Sequence, residues 1–325
     1  VPISPRALVT GGAGFIGSHV SDALLAAGYD VVIADDLSTG RRENLPASAQ
    51  FEPIDVGSAA AGKLIRDGRF DVICHLAAQI DVRLSVADPV ADATGNILAA
   101  LNLLEAVRHS AHRTRVVFSS TGGAVYGDFV APPSVEDQPK DPESPYGVAK
   151  LSIEYYLGYY ARVHGLDAVS LRYSNVYGPR QNPEGEAGVV SIFCQRMLAD
   201  RPLTLFGTGE QTRDYVFVGD VAAANVLAAR AVLPRAGRLD DRAFNIGTSV
   251  PTSVLKLAAA LQNAAGSTLP LEFAPPRPGE QQRSFVNIEK AARVLGWTPK
   301  MSLDDGLAET YRWFHERHEA LRVAL

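Results

Sequence analysis

Tyr146 and Lys150 stand four residues apart in the run 144–150, SPYGVAK, a spacing that places both on one face of an α-helix. The chemistry this pair could do is proton transfer. A phenol titrates near ~10 in water, and a fixed ammonium beside it favours the phenolate, moving the group toward the range where it exchanges protons at neutral pH. Pro145 suits a first helical turn, where a missing N–H costs nothing. The same spacing also occurs on many solvated helices, so the surroundings have to decide whether it marks a site.

The elements that would position the pair are legible from the N-terminal side. Residues 7–10 read as a short apolar strand, followed by GGAGFIG at 11–17 and by Val20, Ala23, Leu24 and Ala27 at helical spacing. Gly28 is placed to end that helix, and residues 31–34 supply the next strand. Strand, glycine turn, helix and strand form the context in which a glycine motif becomes a dinucleotide site. Gly11, Gly14 and Gly17 allow the tight turn, the close approach of backbone to a pyrophosphate and the packing of helix on sheet, with the helix N-terminus facing the phosphates. Asp35, at the end of the second strand, can accept hydrogen bonds from the adenosine ribose and repel a 2′-phosphate, which favours NAD over NADP. Ser38, Thr39 and Gly40 offer further contacts at the same edge.

Further short apolar segments at 72–76, 116–118 and 168–171 alternate with helical patterns. The predicted fold is therefore α/β, a Rossmann-like doubly wound parallel sheet, with ligand at the carboxyl ends of its strands. That rule singles out Asp55 and Val56, then Ala77, Ala78 and Gln79, then Ser119, Ser120 and Thr121, and finally Tyr173, Ser174 and Asn175. Phe15, Ile16, Asp36, Leu76 and Asn96 complete the candidate cofactor contacts, together with Tyr146 and Lys150 themselves.

From 178 the composition changes. GPRQNPEGEAG at 178–188 reads as a long surface loop able to close over a ligand. Strands are expected at 203–206, 215–218 and 243–246, with Asp220 capping the helix after the second of them. A helix through 255–261, a proline-rich connection at 274–279 and a C-terminal helix bearing Leu303, Leu307, Tyr311 and Phe314 follow. The division this suggests is a dinucleotide-binding domain of residues 1–178 with a return segment 214–250. Residues 179–213 and 251–325 then make a smaller mixed α/β substrate lobe.

The totals exclude several classes of function. A chain of 325 residues, 46% hydrophobic, can fill a large core, while a net charge of −5 gives no general attraction to polyanions. Nucleic acid is not an expected partner. Cys74 and Cys194 sit in apolar stretches and read as reduced packing residues. No apolar run approaches the ~18 residues of a membrane span, and the N-terminus opens into a strand without a charged and apolar leader. The expectation is a soluble, cytoplasmic protein.

Taken together, TGGAGFIG, HLAAQIDVRLSVADP, SSTGGAVYG, SPYGVAK, LRYSNVYGP and TRDYVFVGDVA, in that order, resemble the extended short-chain dehydrogenase/reductase family and, more narrowly, its UDP-glucose 4-epimerase branch. The resemblance covers nearly the whole chain. It implies NAD as cofactor, Tyr146 as the acid/base phenol, and Lys150 as the group that lowers its pKa and holds the nicotinamide ribose. Thr121 matches the hydroxyl that hydrogen-bonds the reacting oxygen of the sugar. Gly122-Gly123-Ala124 gives one more residue before Val125-Tyr126 than the better-known branch members have, so Ser120 stands as a second candidate. Either hydroxyl could instead be a polar strand end satisfied by backbone.

The same resemblance implies substrate contacts at Asn175, Val189 and Phe206 around the nucleotide, at Arg213 and Arg277 on the diphosphate, and at Glu280 on the ribose. Dehydratases of the family carry an Asp-Glu pair after the threonine and decarboxylases a glutamate nearby. Here glycines stand in those places. Without a second acid or base, the implied outcome is turnover of a 4-keto sugar in the site and return of the hydride to its other face, which is 4-epimerisation of a UDP-hexose. Ser284, seven residues after Arg277, matches the position that sets space near the sugar's C2 substituent, and its small size would admit N-acetylhexosamines. A UDP-glucuronate epimerase and a non-catalytic NAD-sensing protein are the alternatives. Relatives pair two helices per subunit, which implies a homodimer through residues 92–107 and 146–163.

Overall fold

The computed structural model describes residues 4–183, 188–276 and 281–323. In chain order, β1 (Arg6–Thr10), α1 (Phe15–Ala26), β2 (Asp30–Ala34), β3 (Gln50–Glu52), α2 (Ala59–Asp67) and β4 (Val72–His75) repeat the strand-helix unit expected from the sequence. Two short helices follow, α3 (Val82–Ala87) and α4 (Pro89–Ala93), then a π-helical turn (Thr94–Leu98) and α5 (Ala99–Arg108). Next come β5 (Arg115–Thr121), α6 (Pro145–His164), β6 (Asp167–Tyr173) and β7 (Asn175–Tyr177). The remainder comprises α7 (Val189–Leu198), β8 (Leu203–Phe206), β9 (Thr212–Arg213), β10 (Tyr215–Phe217), α8 (Val218–Arg230) and β11 (Ala243–Ile246). After these lie β12 (Thr252–Ser253), α9 (Val254–Ala265), β13 (Leu271–Ala274), β14 (Arg283–Ser284), α10 (Glu289–Leu295) and α11 (Leu303–Val323).

Seven strands form one parallel sheet in the order β3-β2-β1-β4-β5-β6-β11. Both faces are buried, so its strands are apolar throughout rather than alternating. In β1, Leu8 faces the layer containing Ile65, Leu103, Leu104, Ile153 and Leu157 from α2, α5 and α6. Its neighbour Val9 faces the layer containing Val20, Leu24, Val221 and Ala224 from α1 and α8. The strand order reverses between β1 and β4, which opens a crevice at their carboxyl ends.

Around α7, α9 and α11 a separate core gathers Val190, Phe193, Leu203, Leu205, Leu257, Leu261 and Leu307. The division drawn from the sequence at residue 250 assigns α10 to this lobe. Ala291, Leu295 and Trp297 are instead buried with the sheet's core. Asp220 does not cap its helix either: α8 begins at Val218, and Asp220 Oδ2 accepts from the Met301 amide at 3.0 Å. The span Pro89–Arg108 reaches a mean hydropathy of 1.2, enough by length and composition to cross a membrane. Asp92, Asn96 and Asn102 interrupt its apolar run, and Leu103, Leu104 and Val107 bury it against the sheet.

Candidate active site

Ser144 starts α6 by accepting the Gly147 amide at 3.1 Å, and Pro145 occupies the first turn, which places Tyr146 and Lys150 on the helix's inner face. Lys150 is buried; its Nζ donates to the Ser119 carbonyl at 2.9 Å and lies 4.9 Å from the Phe118 ring centroid and 5.8 Å from that of Tyr146. The pair is therefore assembled as expected, but its electrostatics are not. Desolvation pushes the Tyr146 phenol above its usual range, with the charge of Asp92 adding to the effect. Desolvation also lowers Lys150 to about 8, against the raising influence of Asp92 and Glu154. Burial outweighs the attraction between phenolate and ammonium that the spacing suggests.

Ser119, Ser120 and Thr121 end β5, where successive side chains point to opposite faces. Thr121 opens into the same cavity as Tyr146. Ser120 touches that cavity too, but its hydroxyl donates to Glu154 Oε1 at 2.5 Å. Glu154 in turn accepts from Arg172 at 2.6 to 3.2 Å, and the fully buried Arg172 also donates to Tyr126 Oη, the Glu136 carbonyl and Asp240. The proton of Ser120 is thus committed to a structural network, whereas no side-chain hydrogen bond within the protein engages Thr121 among the described residues.

The glycine turn expected to meet a cofactor is tightly closed on itself. Gly11 has φ +71°, and a Cβ there would lie 2.6 Å from the Ala77 amide nitrogen; one on Gly17 would lie 2.1 Å from the Gly11 carbonyl oxygen. No side chain caps the start of α1, where Gly14 is the N-cap, so its first amides remain available for an anion near Phe15 and Ile16. Asp35 accepts from the amides of Ala13 at 2.9 Å and Leu37 at 2.8 Å, while burial raises its pKa. Asp36 is held locally by the amide and hydroxyl of Ser38, and Asp55 by the Gly57 amide. Thr39 is exposed and Gly40 half-buried beside them, and Val56 is buried. Across the crevice, Leu76 and Ala77 donate to Thr10 Oγ1. Ala78 leads into Gln79, whose amide donates to Asn96 Oδ1 at 3.0 Å. Tyr173 lines the far wall and takes a hydrogen bond from Asn225 on its hydroxyl. A glycine cradle, an uncapped helix start and a carboxylate at the end of β2 together fit a dinucleotide with a free 2′-hydroxyl.

A cavity of about 570 Å³ continues from this groove into the second lobe, lined by Thr121, Tyr146, Asn175, Val189, Phe206 and Arg213 among others. Five of the substrate-side expectations thereby share one wall with the proposed phenol. Arg213 donates from Nη1 to the Thr212 carbonyl at 2.9 Å; beside it in sequence, the buried carboxylate of Asp214 accepts from Thr248, Ser249 and Ser174 and is shifted upward by desolvation. Ser284 lies opposite Arg213 in the β14–β9 register and is buried, but it does not reach the cavity wall. Arg277 and Glu280 lie outside the described residues. Gln181 and Gln211 line the cavity without having been singled out from sequence; adjacency to the loop and to Arg213 was the available signal. Asp92 and Glu154 were also missed, although Glu154 stands four residues beyond Lys150 on the same helical face.

A model of the NAD dependent epimerase/dehydratase family matches residues 7–247. The chain belongs to that family. Members of the NAD dependent epimerase/dehydratase family similar to it include a UDP-glucose 4-epimerase of Mycolicibacterium smegmatis, 45% identical over 97% of this chain and 100% of the relative. Among solved structures, a UDP-glucose 4-epimerase of Thermotoga maritima with UDP-glucose superposes with a TM-score of 0.91 at 44% identity, covering 96% of this chain and 99% of the other. A UDP-glucose 4-epimerase of Thermus thermophilus complexed with NAD gives 0.88 at 42% identity, covering 95% and 99%. The family is NAD-dependent, and the glycine turn at 11–17, with the uncapped start of α1, is where the structure suits such a cofactor.

Proposed function

We propose that the protein interconverts UDP-glucose and UDP-galactose by epimerisation at C4. The observation that carries this reading is the single cavity in which Tyr146 and Thr121 face Asn175, Val189, Phe206 and Arg213. A phenol and a hydroxyl at one end address a sugar carbon, and an aromatic and a guanidinium at the other suit a nucleoside diphosphate. NAD, when bound along the glycine turn, supplies the acceptor and donor of hydride. Tyr146, in its phenolate form, takes the proton of the 4-hydroxyl and returns it, Thr121 holds the same oxygen, and Lys150 holds positive charge behind the phenolate, which offsets the cost of its burial. Glycines at 122 and 123 leave no further acid or base beside Thr121, so the chain supports reversal of the hydride step rather than elimination. The small, buried Ser284 supports extension to N-acetylhexosamines by its size alone, since it does not line the cavity. Unbridged, buried Cys74 and Cys194 accord with a cytoplasmic location.

Self-association of two copies is part of the same reading. The outer faces of α3 to α6 expose Val86, Val90, Leu98, Tyr155, Tyr156 and Tyr159, an apolar surface that a second copy would cover.

Incubating the protein with UDP-glucose, and separately with UDP-GlcNAc, followed by separation of the products, tests the activity. Conversion of UDP-glucose to UDP-galactose is expected, with Tyr146→Phe slowed by about 10²–10⁴-fold. Absence of product from the wild-type protein, or near wild-type turnover in Tyr146→Phe, refutes the reading.

A further inference from the structure

Asp92 is a buried carboxylate on α4, 2% exposed, for which neither the sequence motifs nor the groove assigns a role. Its Oδ1 accepts from Gln79 Nε2 and from Asn96 Nδ2, each at 3.0 Å, while Oδ2 has no hydrogen-bond partner among the described residues. Asn96 in turn brackets Gln79, accepting from its amide and donating to its carbonyl at 3.0 Å. The π-helical turn Thr94–Leu98 carries Asn96 into this position, and such bulges often mark functional places in helices. A half-satisfied carboxylate in an apolar interior is costly unless an opposite charge compensates it.

Helix α6, which packs against α4, carries a buried opposite charge, Lys150, although among the described residues no ion pair joins it to Asp92. Among the described residues its ammonium makes one hydrogen bond, to the Ser119 carbonyl, although it carries three donors. The charged and titratable groups around it come from each packed element. On α6 these are Tyr146 and Glu154, on β4 His75, on β6 Arg172, and on α4 Asp92. Glu154 is already engaged by Arg172 on both oxygens and by Ser120. His75 stays neutral, burial holding it at about 3. Asp92 is therefore the uncommitted negative charge whose field reaches both Lys150 and Tyr146.

We propose that Asp92 is a positioning residue of the reaction: it keeps Lys150 as an ammonium behind Tyr146 and locks Gln79 and Asn96 at the end of β4. This rests on Tyr146 and Lys150 being the reaction centre. With Asp92 neutralised, Lys150 loses its counter-charge and gives up its proton at lower pH. Tyr146 loses a repelling charge and reaches the phenolate at lower pH. Both changes move the working range in the same direction, toward acid.

The test is the pH profile of kcat for UDP-glucose in wild type, Asp92→Asn, and the same-length pair Asp92→Glu and Asp92→Gln. The expected result is an acid shift of the optimum by about one pH unit in Asp92→Asn, within the range that a nearby charge moves a pKa, giving about a tenfold loss on the alkaline side. If Asp92→Asn does not fold, the same displacement is expected between Asp92→Glu and Asp92→Gln. An optimum that stays at the wild-type pH, whatever its height, overturns the proposal, since a purely structural role lowers the profile without moving it. An inactive wild-type protein would instead remove the reading of Tyr146 and Lys150 beneath it.

Discussion

Thr121 and Ser120 are adjacent residues of β5 with hydroxyls of different fates. Ser120 donates to a carboxylate that also holds a buried arginine, so removing it leaves Glu154 short of one partner inside the protein. A buried hydrogen bond to a charged group contributes about 1.5–3 kcal/mol. Ser120→Ala is expected to lose about that much stability in urea unfolding while keeping kcat within a few-fold of wild type. Thr121→Ala should do the reverse, with near wild-type stability and kcat down by about 10²-fold, the loss typical of a missing donor at a reacting oxygen. The two variants measured side by side decide between the hydroxyls; equal kcat losses would contradict the assignment. From sequence the two remained open because the extra glycine obscured their register. Neighbouring strand residues face opposite ways, but only Glu154, 34 residues on, fixes which way each one points.

Helix α6 serves two surfaces with one sequence. Its inner face carries Tyr146, Lys150 and Glu154, and its outer face exposes Tyr155, Tyr156 and Tyr159. Three tyrosines on one exposed helical face are poorly explained by solubility and suit association with a second copy. Tyr155 is 57% exposed, so a charge there disturbs no interior contact. Tyr155→Glu is expected to sediment as a monomer at concentrations where the wild-type chain is a dimer, with its thermal unfolding otherwise similar; a wild-type chain that sediments as a monomer contradicts the dimer. At this scale the sequence was most informative where structure is local. The glycine turn, the helix start at Pro145 and the apolar strands 31–34 and 72–76 could all be read from neighbours in the chain. The two-residue strands β9, β12 and β14 could not, because they exist only through pairing across 39 to 71 positions, as in Thr252 with Arg213 and Arg283 with Thr212. The same holds for α10, whose Leu295, with Trp297 just beyond it, is apolar in either lobe and is assigned only by burial with the sheet's core.

For the whole molecule, the sheet that brings the site together also buries groups whose titration sets its acid stability. Thr10 Oγ1 accepts the amides of Leu76 and Ala77, so its own proton goes to His75 Nδ1 at 2.8 Å, which requires a neutral imidazole. Burial accordingly lowers His75 to about 3, and it lowers His19, hydrogen-bonded to the Pro179 carbonyl, to about 4. Both folded values lie below the ~6.5 of an unfolded histidine. As pH falls through 6.5 the unfolded chain takes up protons that the native state refuses, so stability is lost on the acid side, with a limiting slope of about 1.4 kcal/mol per pH unit for each histidine. Asp35, Asp92 and Asp214 work in the opposite sense. Burial raises their pKa values above the ~3.9 of an unfolded aspartate. The native state therefore takes up protons before the unfolded chain does, offsetting the loss at lower pH. Urea midpoints measured between pH 7 and 5 should decline steadily. In His75→Gln, which removes one titrating ring while leaving an amide to meet Thr10, the decline should be roughly half as steep. A variant slope equal to that of wild type would mean that His75 is protonated in the native state and that the Thr10 hydrogen bond runs the other way.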